Sequence, residues 1–116
     1  MKKTNPNLVM LVEELKKASS IHKSRLWKRI AADLEKGTRQ RRIVNLARLN
    51  RFTKENETII VPGKVLGSGN LSHKLTVAAF SFSQSAMDEI NKNGKAIPIS
   101  DLIKQDPKGK KIRIIG

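Results

Sequence analysis

The feature that most limits what this chain can fold into is a change of hydrophobic period near Asn56. Before it, apolar residues recur every three or four positions; after it they come in short β-branched runs separated by turn residues. Leu8, Leu11, Val12 and Leu15 stand at i, i+3, i+4 and i+7 behind Asn5-Pro6-Asn7, a capping residue followed by proline at the first helical position. That spacing predicts a helix over residues 6–19. A second helix is predicted after Ser24, with Leu26, Ile30 and Leu34 every four residues, Trp27 and Ala31 beside them, and Gly37 as its stop. Residues 37–42, Gly-Thr-Arg-Gln-Arg-Arg, hold nothing apolar and predict a loop whose shape a partner fixes. Ile43 then restarts apolar periodicity, Leu46, Leu49 and Phe52 make one face of a short third helix, and residues 54–57 turn the chain.

Beyond the turn, Thr58-Ile59-Ile60-Val61 predicts a strand closed by a turn at Pro62-Gly63. Val65-Leu66 is a further extended piece, Gly67-Ser68-Gly69-Asn70 a second turn, and residues 75–80 a buried strand. Ser83 is placed to cap a helix over residues 84–92 with Ala86, Met87 and Ile90 facing inward and Asn93-Gly94 as its left-handed terminator. Residues 96–99 form a strand that Pro98 restricts to a sheet edge. Ser100 is expected to cap a brief helix that Asp106-Pro107 breaks, and residues 112–115 give a last extended segment. The expected fold class is α+β: a basic helical half, residues 1–57, packed on a half of irregular strand-strand-helix turns, residues 58–116. The 116 residues are expected to form one domain, because halves of this size would have meagre cores.

The chain carries 24 Lys plus Arg against 10 Asp plus Glu, a net charge of +14. Between His22 and Arg51 there are ten basic residues against two acids, so this stretch supplies +8 of the total. Seven of the ten are Arg, whose planar fork suits phosphate oxygens and base edges better than a lysine ammonium does. Lys108, Lys110, Lys111 and Arg113 form a second cluster near the end. Charge concentrated in this way predicts a polyanionic partner, and the arginine bias favours RNA. No apolar run approaches the roughly 20 residues of a membrane span, which argues for solubility. The absence of Cys removes disulfides, thiolate metal sites and Cys nucleophiles, and fits a reducing compartment. Without an apolar stretch behind Met1-Lys2-Lys3 the expected address is intracellular.

Catalytic chemistry finds little to work with. The two histidines, His22 and His73, lie in polar, turn-like surroundings that predict solvated or RNA-facing side chains, and with no Cys they make no recognisable metal site. Glu13-Glu14, Asp33 with Glu35, and Asp88-Glu89 are expected on solvated helix faces or in ion pairs. Residues 63–69 hold the glycines and lysine of a phosphate loop in the wrong order, since the Lys comes early instead of opening a helix. Gly63, Gly67 and Gly69 are therefore expected to supply positive φ to tight turns, with Lys64 as a point charge beside a backbone that RNA phosphate can approach. The four aromatics are Trp27, Phe52, Phe80 and Phe82, which imply an aliphatic core. Core placement is favoured for Phe80 and a packed position for Trp27, so phosphate and shape contacts are expected over base stacking.

The run Ile60-Val61-Pro62-Gly63-Lys64-Val65-Leu66-Gly67-Ser68-Gly69 followed by Leu75-Thr76-Val77-Ala78-Ala79-Phe80-Ser81-Phe82-Ser83-Gln84-Ser85-Ala86 closely resembles the signature of the large-ribosomal-subunit protein eighteen-e family of archaea and eukaryotes. That family is similar to the C-terminal part of bacterial large-subunit protein fifteen. Asn5-Pro6-Asn7-Leu8, Leu26-Trp27 to Arg29, Arg41-Arg42 to Asn50-Arg51 and Pro107-Lys108-Gly109 to Ile115 also resemble archaeal members, so the likeness covers nearly the whole chain. It implies a non-catalytic, cofactor-free structural component of the large subunit in the cytoplasm, bound to ribosomal RNA and touching neighbouring ribosomal proteins, with no membrane and no small-molecule substrate.

Lys23, Arg25, Arg29, Arg39, Arg41, Arg42, Arg48, Arg51, Lys64, Lys108, Lys110, Lys111 and Arg113 are the expected RNA contacts, with Arg39, Arg41 and Arg42 foremost because their loop has no apolar anchor. Three other readings share parts of this logic: a non-ribosomal RNA-binding protein, a small RNA-modifying enzyme using His22 or His73, and a chromatin-type DNA binder.

Overall fold

The structure, a computed structural model, describes residues 6–35, 42–109 and 111–115. Among these residues the order is α1 (Pro6–His22), α2 (Arg25–Glu35), β1 (Arg42–Asn45), α3 (Leu46–Phe52), β2 (Glu57–Leu66), β3 (Leu75–Phe82), α4 (Gln84–Asn91), β4 (Lys95–Pro98), α5 (Ile99–Gln105) and β5 (Ile112–Ile114). Every ladder is parallel, in the order β1, β2, β3, β4, with β5 also on β2. Parallel strands are covered on both faces, which explains why Ile59-Ile60-Val61 and residues 77–79 read as unbroken apolar runs. Alternation divides them between two cores. Ile59, Val61, Val65, Val77 and Ala79 meet Leu46 and Leu49 of α3 and Ala86 and Ile90 of α4. Ile60 and Ala78 meet Val12 and Leu15 of α1, Trp27, Ile30 and Leu34 of α2, and Ile99 and Leu102 of α5. The α+β expectation holds, with the helical first half packed on the sheet formed mostly by the second.

β2 organises the sheet. One edge pairs with β3; along the other, β5 takes Thr58, Ile59 and Ile60, and β1 takes Gly63 to Leu66. Two short strands from distant parts of the chain thus lie end to end on one edge. Pro62-Gly63 does not end this strand, as the sequence predicts, but forms a bulge inside it. Val61 pairs with Ala79 and Lys64 with Ser81, leaving one extra residue on β2, where the missing proline N–H breaks no ladder bond.

Several local expectations are corrected. Arg42, expected at the end of the loop, and residues 43–45, expected to restart helical periodicity, are strand, and Phe52, expected on one face of the third helix with Leu46 and Leu49, is exposed. α1 runs three residues further than predicted, to His22. Met87 is exposed although Ala86 and Ile90 are buried, and Asp33, expected on a solvated helix face or in an ion pair, is buried. Pro98, not Ser100, is the N-cap of α5. Of the glycines expected at positive φ in residues 63–69, only Gly69 has it, and neither Asn93 nor Gly94 does. The predicted cap of α4 is present, with Ser83 Oγ accepting from the Ala86 amide at 3.2 Å, and β4 is the edge strand that Pro98 requires. The predicted stop at Gly37 and most of the arginine loop lie outside the described residues.

Candidate nucleic-acid interface

Two basic surfaces emerge, one on each side of the sheet. The first is built on the turn between α1 and α2. Lys23 is left-handed, with φ of 51°, and the Ser24 amide donates back to the Ser19 carbonyl at 3.1 Å, the six-to-one bond of a Schellman ending. Ser19 Oγ donates to the Ser24 carbonyl at 2.8 Å and closes the turn from the other side. Lys23 is thereby presented to solvent, followed by Arg25, Lys28 and Arg29 on the outer face of α2. Burial of Trp27, Ile30 and Leu34 leaves those three cations no inward option.

The end of the chain comes to this surface. The Trp27 indole Nε1 donates to the Pro107 carbonyl at 2.7 Å across 80 residues of sequence. Gly109, at φ of 62°, approaches so closely that a Cβ there would lie 2.7 Å from Leu26 Cδ2 and 3.4 Å from Trp27 Cζ2. Its amide is held by the Asp106 carbonyl at 3.0 Å and by Asp106 Oδ1 at 3.2 Å. The exposed Lys108 and Lys111 are carried by this turn, so clusters that are remote in sequence are joined through one buried indole.

The second surface is α3. Parallel strands are commonly joined by a dozen or more residues, but only residues 67–74 connect β2 to β3. Returning along the sheet in nine Cα steps requires a span of about 30 Å, close to full extension. This strap runs beside α3 and is stitched to it at successive points. The Ala47 amide donates to the Ser68 carbonyl at 3.0 Å, and Asn50 Oδ1 accepts from both the amide and the hydroxyl of Ser72 at 2.8 Å. Thr53 Oγ1 donates to the Leu49 carbonyl and lies 2.7 Å from His73 Nε2; with its one proton so used, the hydroxyl accepts and Nε2 donates. Gly69, at φ of 97°, passes so near the first turn of α3 that a Cβ there would fall within 2.6 Å of Ala47 Cβ. With Leu46 and Leu49 buried and Asn50 and Thr53 tied to the strap, the opposite side of α3 presents Arg48, Arg51 and Phe52. The guanidinium carbons of Arg48 and Arg51 lie 5.2 and 5.6 Å from the Phe52 ring centroid.

Lys64, between its partners Ile43 and Ser81 in the sheet, is exposed. Arg113 is exposed on β5 and already engaged, its Nη1 3.4 Å from Glu57. The Glu57 carboxyl is held below its ordinary value, foremost by the Lys54 amide that donates to it and further by Arg113. Other carboxylates pair away from the two surfaces: Glu35 with Lys16 at 3.1 Å and Glu89 with Lys92 at 3.0 Å. Among the described residues no carboxylate pairs with Lys23, Arg25, Arg29, Arg48, Arg51, Lys64, Lys108 or Lys111. Arg39, Arg41, Lys110 and the Arg42 side chain lie outside the described residues.

The histidines are not brought together. His22 is exposed in the last turn of α1, whereas His73 serves the strap. Among the described residues no three His, Asp or Glu side chains are grouped to hold a metal, and no helix is long and apolar enough to cross a membrane. Sequence reasoning missed the exposure of Phe52 by counting in threes, since each such step falls about 60° short of a full turn and carries Phe52 about 120° away from Leu46. A helix beginning at Leu46 puts Leu46, Leu49 and Thr53 on one side and Phe52 with Arg48 and Arg51 on the other.

The family described as ribosomal proteins 50S-L15 and 50S-L18e, together with a 60S counterpart, matches residues 20–97. The chain is 46% identical to the large ribosomal subunit protein eL18 of Methanothermobacter thermautotrophicus, over 97% of this chain and 94% of that one. It is 43% identical to the eL18 protein of Haloarcula marismortui and 40% identical to that of Archaeoglobus fulgidus, each over 99% of both chains. The signature in β2 and β3, the two-faced packing around it and these near-complete likenesses agree: the chain belongs to the eL18 family of large-subunit ribosomal proteins, whose role is structural and not enzymatic.

Proposed function

We propose that this chain binds large-subunit ribosomal RNA as a structural constituent of the cytoplasmic large subunit, holding RNA mainly by phosphate and shape contacts and touching neighbouring ribosomal proteins. The observation that carries the reading is the set of exposed cations without carboxylate partners on both sides of the sheet. Lys23, Arg25 and Arg29, with Lys108 and Lys111 docked beside them, form one phosphate surface; Arg48 and Arg51 form the other. Lys64 adds a charge in β2, and Arg39, Arg41, Arg42 and Lys110 complete the expected set. Arg113 contributes less, because a phosphate must compete with Glu57 for it.

The reading is tested in a lysate gradient and by titration. The chain is expected to co-sediment with large subunits at moderate salt. If about six to ten phosphates are neutralised, affinity for ribosomal RNA falls by about 10³ to 10⁵ between 50 and 200 mM salt. A flat salt response, or free sedimentation, refutes it. Duplex DNA that competes as well as ribosomal RNA supports a chromatin-type binder instead.

A further inference from the structure

Phe52 departs from the rule that this chain hides its few aromatics. It is 45% exposed, whereas Trp27 is fully buried and Phe80 and Phe82 pack partly against the two cores. The exposure is built in. Turning Phe52 inward would rotate Leu46 and Leu49 into water and break the bonds from Asn50 and Thr53 to the strap. Arg48 and Arg51 both lie within 6 Å of the ring centroid, and neither has a carboxylate partner among the described residues. A rigid helix face therefore holds out one aromatic ring between two uncommitted guanidinium groups.

We propose that Arg48, Arg51 and Phe52 form a stacking site for one unpaired base of ribosomal RNA, with the ring and a guanidinium plane taking the base and the other Arg taking an adjacent phosphate. The inference rests on the proposed RNA-binding role and adds base contact to a surface otherwise suited to phosphates. An unpaired nucleotide matches both halves of the group: its flat π-face suits the ring, and its phosphate suits the fork. A continuous duplex fits less well, because its bases are stacked on one another, whereas bulges and loops present splayed bases. A protein partner would have to bring carboxylates to both Arg side chains and an apolar contact between them.

The test titrates the full-length chain with deproteinised archaeal large-subunit ribosomal RNA and, separately, with a fully paired RNA duplex. Phe52→Leu keeps an apolar side chain at an exposed position and should leave the melting temperature unchanged. It should weaken binding to ribosomal RNA by about 5- to 150-fold, without changing the salt slope or duplex binding. Phe52→Trp should preserve affinity, and Arg51→Gln should lower both affinity and the salt slope by about one phosphate's worth. If Phe52→Leu binds as the parent does while Arg51→Gln is still weakened, the stacking site is refuted and the phosphate reading stands. If the parent chain itself shows no salt-sensitive RNA binding, the proposed function fails with it. Loss of large-subunit association by Phe52→Leu at unchanged RNA affinity refutes stacking and places a protein against the ring.

Discussion

Gly94→Ala tests how the structure uses its turns. Gly94 joins α4 to β4, and its amide donates to the Ile90 carbonyl at 2.8 Å. A Cβ built on it would lie 2.0 Å from the Leu75 carbonyl oxygen, 2.9 Å from the Leu75 nitrogen and 3.0 Å from its carbonyl carbon. Relief demands more than 1 Å of backbone movement away from β3, because the obstacle is main chain at a buried residue that pairs with Glu57. The neighbouring rung, Thr76 with Lys95, must stretch as well. Overpacking of this kind costs about 1–3 kcal/mol, and blockage by backbone puts this site at the upper end. The entropy removed from the unfolded chain returns about 0.4–1 kcal/mol. A net loss of about 2 kcal/mol lowers the melting temperature of a domain this size by about 6–12 °C. Calorimetry measures that shift, and urea titration gives the free energy. Gly94→Asn separates crowding from backbone conformation: if Gly94 were a left-handed terminator, Asn would be tolerated better than Ala, whereas crowding makes Asn at least as harmful. A loss below about 0.5 kcal/mol for Ala, within the range of neutral surface changes, or a clear advantage for Asn, refutes the reasoning.

Two further perturbations probe how the surfaces are held. Trp27→Phe removes the donor to Pro107 and leaves that carbonyl without its partner, so urea unfolding should show a loss of about 1–3 kcal/mol, and the turn carrying Lys108 should become more sensitive to proteolysis; an unchanged midpoint with an intact turn counts against the indole as the tie. Glu57 titrates below its ordinary value in the folded chain, so its stabilisation is present above that value and disappears as pH falls through the lowered one. Glu57→Gln should therefore lose less stability than the parent between neutral and acid pH in urea titrations, and parallel losses in both proteins would exclude this role.

Much of the fold was legible because local and global signals agreed. The four-residue spacing of Leu26, Ile30 and Leu34 belongs to α2, Ser83 caps α4, and Pro98 marks the edge strand. The failures have identifiable causes. Ile43 lies three residues before Leu46, a helical interval, although tertiary pairing with Lys64 draws it into a strand. Pro62-Gly63 is turn chemistry that becomes a bulge because β2 has partners on both edges. Gly67 is small because a Cβ there would meet the Ser85 side chain and the Ala86 amide, a constraint from residues that no local pattern brings to mind. For the candidate interface, residue types were readable from charge, and grouping was not. That Lys108 and Lys111 join Lys23 and Arg25 follows from Trp27 reaching Pro107, a contact with no local sequence signature.

The shared edge of β2 has a consequence for the order in which the molecule can be completed. Strands that are parallel and remote in sequence must wait for one another, and β5 follows β2 only after β3, α4, β4 and α5. Its rungs to Thr58, Ile59 and Ile60, and the bond from the Ile115 amide to the Ile60 carbonyl at 3.1 Å, form only after those residues leave the ribosome that makes them. Until then β2 carries an open edge over the stretch β5 will cover, bare N–H and C=O groups of the kind that pair with other chains. A strongly basic chain disfavours contact between copies during that interval. Arrival of β5, and not synthesis of the central strands, is the event that covers this edge of β2.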